Sequence, residues 1–102
     1  MNISAKNIET IKTLCNSHQV RFLAAFGSVT RDDFNKDSDI DFVVDFDESD
    51  PLLYSDLYFD LKDKLELLLN RTIDLVEDRA LKNPYFKKEL NHTKIILYGT
   101  PN

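Results

Sequence analysis

The nine residues from Ser38 to Phe46, SDIDFVVDF, alternate with a period of two. Ile40, Phe42, Val44 and Phe46 fall on one face, and Asp39, Asp41, Val43 and Asp45 on the other. That pattern is a β-strand, so the chain has to build a sheet and cover it. It also has to place several carboxylates on one side of that strand.

The rest of the chain reads as mostly regular structure, because two glycines and three prolines are all that punctuate 102 residues. Ile8, Ile11, Leu14 and Cys15 recur at helical spacing and predict a helix over residues 5–17. VRFLAAF, Val20 to Phe26, is a short apolar strand stopped by Gly27. SVTRDDF can open a short helix with Ser28 as its N-cap and Asp32 and Asp33 within it. Pro51 suits a helix start, and Leu53, Leu57, Leu61, Leu65 and Leu68 carry one stripe to about Asn70. TIDLVE predicts a third strand, with Asp74 facing opposite to Ile73 and Leu75. A short helix from Pro84 to about Leu90 and a fourth strand, TKIILYG, complete the order. The expectation is a single domain, 1–102, of mixed α/β (α+β) class: a small mixed β-sheet flanked by helices, with strand order left open.

No apolar run approaches the ~20 residues that span a bilayer, and MNISAKNIETIK has no signal-peptide core. A lone cysteine, Cys15, rules out an internal disulfide and suits a reducing compartment, so a cytoplasmic protein is expected. The net charge of −5 is unevenly spread: residues 32–63 hold 12 acids against 2 bases. That balance argues against autonomous binding to long nucleic acid, which needs a basic footprint. It argues for bound cations or a basic partner, with a solvated acidic loop as the plainer alternative.

Asp39 and Asp41 sit two residues apart at a strand start, so their carboxylates share a face, roughly 7 Å apart along the chain. Carboxylates so close raise each other's pKa unless a cation neutralises them. Hard oxygen donors of this kind suit Mg²⁺. A third acid from a neighbouring strand would allow two metal ions about 4 Å apart. Asp74 is the candidate, since an unpaired acid in an apolar strand is costly. Gly27 at a strand end lets a backbone approach a ligand closely. A helix opening at Ser28 would aim N–H groups and its positive end at a phosphate. A phosphate cradle beside a metal site is what phosphoryl or nucleotidyl transfer requires.

Gly27-Ser28, ten further residues and then Asp39-x-Asp41 together resemble the motif of the nucleotidyltransferase superfamily that includes DNA polymerase beta. With Arg31, DSDIDFVV and the later IDLV, the stretch from about residue 20 to 77 is similar to its minimal nucleotidyltransferase (MNT) domains. The resemblance implies transfer of a nucleoside monophosphate from an NTP, with ATP as the expected donor, although no residue argues for adenine itself. It implies Mg²⁺, expected as two ions, bound by Asp39 and Asp41, with Asp74 as the third carboxylate, aligning or activating the acceptor. Gly27 and Ser28 would hold the β and γ phosphates, and Arg31 would contact phosphate or cap the motif helix. A partner is implied as well: a helical HEPN toxin, with the MNT protein as its antitoxin and, in some members, AMP added to a toxin tyrosine. Larger relatives carry a second domain that grips the acceptor, and a separate acceptor protein would fill that place. A homodimer or hetero-oligomer would be in keeping.

The sequence leaves two rival functions open. The domain could neutralise a toxin by covering it, its acidic face docking on a basic protein, or it could modify a small molecule such as an antibiotic. Other acid motifs fit poorly. Asp37, Asp39, Asp41 and Glu48 match positions 1, 3, 5 and 12 of a calcium loop, but Phe42 stands where a sharp turn needs Gly. A haloacid-dehalogenase phosphatase carries its Asp-x-Asp after an apolar strand, whereas here the apolar run follows the acids. Asp32, Asp33, Asp37 and Asp45 read as solvated or salt-bridged, Cys15 as packing, and His18 and His92 as surface residues. Tyr54, Tyr58 and Phe59 are candidates for a partner-facing patch.

Overall fold

The computed structural model describes residues 1–100; Pro101 and Asn102, the end of the expected domain, lie outside the described residues. Helix α1 spans Ala5–Ser17, β1 Val20–Phe26, β2 Ile40–Phe46, α2 Pro51–Leu69, β3 Ile73–Glu77, α3 Pro84–Thr93 and β4 Ile95–Gly99. The four strands form one sheet in the order β3-β2-β1-β4. Strand β1 runs antiparallel to β2 and β4, while β2 and β3 are parallel. A parallel pair needs a long crossover, and α2 supplies it.

Both faces of the central strands are covered, so β1 and β2 are apolar almost throughout. Ile11 and Cys15 of α1 and Leu61 and Leu65 of α2 pack on the face made by Leu23, Ala25, Phe42 and Val44. Leu90 of α3 packs on Phe22, Ala24, Phe26 and Val43 behind it. Burial pushes the Cys15 thiol up to about 12, which leaves it an inert packing group.

The ends of α2 follow from local chemistry. Asp50 caps it by accepting from the N–H groups of Leu52 and Leu53, Pro51 fills its first position, and Asn70 ends it in the left-handed region at φ 53°. The leucine stripe is only partly core. Leu61 and Leu65 are fully buried, Leu57 and Leu68 partly, and Leu53 is exposed. A 19-residue helix is about 28 Å long and outruns a five-residue strand of about 17 Å, so its first turn overhangs the core. Tyr54 and Tyr58 turn inward from the expected patch, donating to Glu77 and to the Leu75 carbonyl, which leaves Phe59 exposed.

His18 is a second correction, because it is buried. Its Nε2 lies 2.6 Å from the Asp60 carboxylate and its Nδ1 lies 2.7 Å from the Leu14 carbonyl, so it ties α1 to α2. Asp45 is salt-bridged: Arg79 donates to it at 2.8 and 3.0 Å, and Arg21 reaches it at 3.4 Å. Arg79→Ala would leave an acid that is 8% exposed with that one long contact. The expected loss is about 2 kcal/mol in urea unfolding, less than the ~3–5 for a fully buried pair because Arg79 is half exposed.

Candidate active site

Asp41 sits at the start of β2 with Phe26 of β1 as its register partner on one side and Asp74 of β3 on the other. Neighbouring strands lie about 4.8 Å apart, so Asp41 and Asp74 project side by side from one face. Asp39 lies one residue before β2, exposed, on the approach to the same end of the sheet. The structure therefore brings the three carboxylates to one end of the sheet, close enough for Asp41 to feel the charge of the other two. Asp41 registers their proximity: burial first, then the charges of Asp74 and Asp39, raise its pKa above the ordinary carboxylate value, while Arg31 opposes them. Asp74 itself is exposed on an edge strand, so the burial penalty that singles it out in the sequence does not arise.

Gly27 closes this site from the β1 side. Its φ is +73°, and a Cβ built there would stand 2.6 Å from the Asp41 Oδ2. A side chain at that position would therefore displace the Asp41 carboxylate. Beyond it, residues Gly27–Thr30 form a single 3-10 turn in place of the expected helix. The reason is local. The Thr30 hydroxyl donates to the Gly27 carbonyl at 2.7 Å, and the Arg31 N–H takes the Ser28 carbonyl, so the turn closes on itself and Arg31 leaves in extended conformation. Ser28 is thus inside the turn, Phe26 occupies the cap position, and Asp32 and Asp33 lie beyond it. With one turn there is little helix dipole, and any anion affinity rests on the first N–H groups and the Ser28 hydroxyl.

Arg31 takes the C-terminal cap position of the 3-10 turn through its backbone N–H on the Ser28 carbonyl, while its side chain turns elsewhere. It pairs with Asp33 at 3.1 Å, and that guanidinium holds the Asp33 carboxyl below the usual range. The sequence holds no signal for what braces this turn: the Asn2 side chain donates to the carbonyls of Val29 and Arg31 at 2.9 and 2.8 Å. Phe86 of α3 meets Phe26 edge to face at 5.9 Å beside the site, on the same face of the sheet as Asp41.

Oxygen-only donors on adjacent strands are the ligand type of a hard cation such as Mg²⁺. Among the described residues, no three His, Cys, Asp or Glu side chains are already arranged to enclose an ion. Repulsion keeps unneutralised carboxylates apart, and Mg²⁺ needs only one or two of them when water and phosphate complete its shell.

Crowded carboxylates at a strand end, facing a turn that opens on a bare glycine, belong with proteins that handle polyphosphates, the phosphoryl- and nucleotidyl-transfer class. The family model described as "Polymerase beta, Nucleotidyltransferase" matches residues 9–102, and the chain belongs to that family. A Methanocaldococcus jannaschii protein, MJ1379, which carries a provisional protein adenylyltransferase name, is 36% identical over 84 residues, covering 82% of this chain and 83% of its own. The protein adenylyltransferase MntA of Thermococcus cleftensis is 34% identical over 91 residues, covering 81% and 89%. Among solved structures, the fold matches a chain of the tri-AMPylated Shewanella oneidensis HEPN toxin in complex with MNT antitoxin. That match has a TM-score of 0.65 and 22% identity over 93% of this chain and 71% of that one.

Proposed function

We propose that this nucleotidyltransferase is an Mg²⁺-dependent protein adenylyltransferase that moves AMP from ATP to a tyrosine hydroxyl of a partner HEPN toxin and so acts as its antitoxin. The observation that carries the reading is Asp41 beside Asp74, with its pKa raised by two neighbouring acids, against the bare α-carbon of Gly27. The protein adenylyltransferase names of the relatives support it, as does the AMPylated toxin in the complex that shares the fold.

Bound Mg²⁺ would neutralise charge on the triphosphate and favour attack at the α-phosphorus. Asp39, Asp41 and Asp74 are the residues that would hold it. Gly27 lets the phosphate chain come close to the backbone, and the Ser28 hydroxyl and turn N–H groups take the β and γ phosphates. Arg31 exchanges Asp33 for a phosphate oxygen. Asp74, exposed beside Asp41, orients the tyrosine hydroxyl and accepts its proton. The tyrosine oxygen then bonds to the α-phosphorus as the α–β bridge breaks, and pyrophosphate leaves with the bonding electrons. The buried, inert Cys15 suits a reducing cytoplasm, where we place the toxin–antitoxin assembly.

Intact-mass measurement of a purified HEPN partner, with and without this protein and ATP, tests the reading. An added adenylyl mass that maps to tyrosine is the expected result. An unmodified partner held in a stable complex would instead support neutralisation by binding, which the 12 acids of residues 32–63 also favour.

A further inference from the structure

Asp39 and Asp74 come from different parts of the chain, and one side chain links their supports. Arg71 precedes β3 and is half-buried. Its Nη1 donates to the carbonyls of Asn35 and Ser38 at 2.6 and 2.8 Å. Its guanidinium also lies over the Phe34 ring, 4.2 Å from the centroid. Those contacts fix both ends of a tight turn. Within it, Ser38 N–H donates to Asn35 O at 3.0 Å, Asn35 N–H to the Ser38 hydroxyl at 3.1 Å, and Asp37 N–H to the Asn35 side chain at 2.9 Å.

The next residue after this turn is Asp39. On the other side, Thr72 accepts from Ile40 N–H at 3.1 Å, and Ile73 N–H donates to Glu66 at 3.1 Å, so the chain from Arg71 to Asp74 is held at each step. Asp39 and Arg71 also line one open groove of about 440 Å³.

We propose that Arg71 is a positioning residue for the carboxylate site: it locks the turn that delivers Asp39 onto the strand that delivers Asp74. The inference rests on the functional reading above. Arginine suits the place because Nη1 carries two N–H groups, one for each carbonyl, while the flat guanidinium stacks on the Phe34 ring; a lysine ammonium has no such face. Supports of this kind, removed one step away from a ligand, weaken metal affinity or activity by about 10–100-fold.

The test is calorimetric titration of Mg²⁺ into protein with AMP-PNP. Wild type, Arg71→Ala and Arg71→Lys are compared with His18→Gln, which disturbs the α1–α2 tie and serves as a stability control. The Mg²⁺ midpoint should rise about 10–100-fold for Arg71→Ala and in the same direction for Arg71→Lys. His18→Gln should melt earlier with an unchanged midpoint. In transfer assays Arg71→Ala should lower kcat while KM for ATP holds. A wild-type midpoint in Arg71→Ala overturns the inference, as does an equal shift in His18→Gln. Should Arg71→Ala fail to fold, an unchanged midpoint in Arg71→Lys overturns it alone. Wild-type protein that takes up no Mg²⁺ with AMP-PNP sinks the functional reading and this inference together; uptake with an unaffected Arg71→Ala sinks only the inference.

Discussion

Asp39→Asn combined with Asp41→Asn is expected to cut AMP transfer by at least about 10³-fold, since a single lost charge-stabilising group already removes about 10²–10³. The same double variant should melt at a higher temperature than wild type when no divalent ion is present. Asp41 carries the second half of this expectation. Its folded pKa lies above the ordinary carboxylate value, through burial and then the charges of Asp74 and Asp39. Between those two values the folded state binds more protons than the unfolded one. The contribution of Asp41 is therefore full at acid pH and is lost as pH rises through its folded pKa. At neutral pH the ionised group is a standing strain, which an amide relieves. Thermal melts from pH 4 to 8, with and without Mg²⁺ and AMP-PNP, measure both effects. Mg²⁺ with nucleotide should stabilise wild type and leave the variant unmoved. A variant that transfers AMP at the wild-type rate contradicts the assignment of these acids.

The second large effect is expected at Gly27. Its α-carbon faces the Asp41 Oδ2, and the 2.6 Å approach of an added Cβ forces the carboxylate to turn aside. Displacements near 1 Å of a group that positions reactants cost about 10²-fold in rate. Gly27→Ala should thus lower transfer by about that factor, with a stability loss of about 1–2 kcal/mol from alanine at positive φ. Gly99 is the natural contrast. It too has positive φ, at +70°, but a Cβ there would strike the Arg21 carbonyl at 1.9 Å, inside the β1–β4 pairing. Gly99→Ala should unfold the protein more easily, yet folded molecules should transfer AMP normally. Activity normalised to folded fraction separates the two, and a Gly27→Ala protein with full activity would refute the close-approach argument.

What could be read in the sequence depended on how local the cause was. Period-two alternation places Asp39, Asp41 and Asp45 opposite Phe42 and Val44, and the sheet obeys it, because the face packed under α1 and α2 accepts only apolar side chains. Asp74 facing away from Ile73 and Leu75 was legible for the same reason. That Asp74 stands beside Asp41 was not, since the register of two strands joined by a 19-residue helix is set by packing.

The helix expected after Ser28 failed on a competing local rule. Ser28 is a good cap, but its carbonyl, which would accept from Asp32 N–H in an α-helix, is taken one residue early by Arg31 N–H, and the chain leaves extended. His18 carries no motif and reads as a surface residue; its partner Asp60 is 42 residues away. The bridges from Arg71 to Asn35 and Ser38 and from Asn2 to Val29 also join residues far apart in the chain, and no spacing announces them.

Transfer by the proposed route depends on three carboxylates gathering a divalent ion against a triphosphate. Crystals of the protein soaked with Mn²⁺ and AMP-PNP, measured at the manganese edge, test it most directly. Anomalous density bounded by the carboxylates of Asp39, Asp41 and Asp74, with the phosphates lying along Gly27 and Ser28, is the expected result. Manganese bound elsewhere on the chain, or held by nucleotide alone with the Asp41 carboxylate still lying against Gly27, would contradict it.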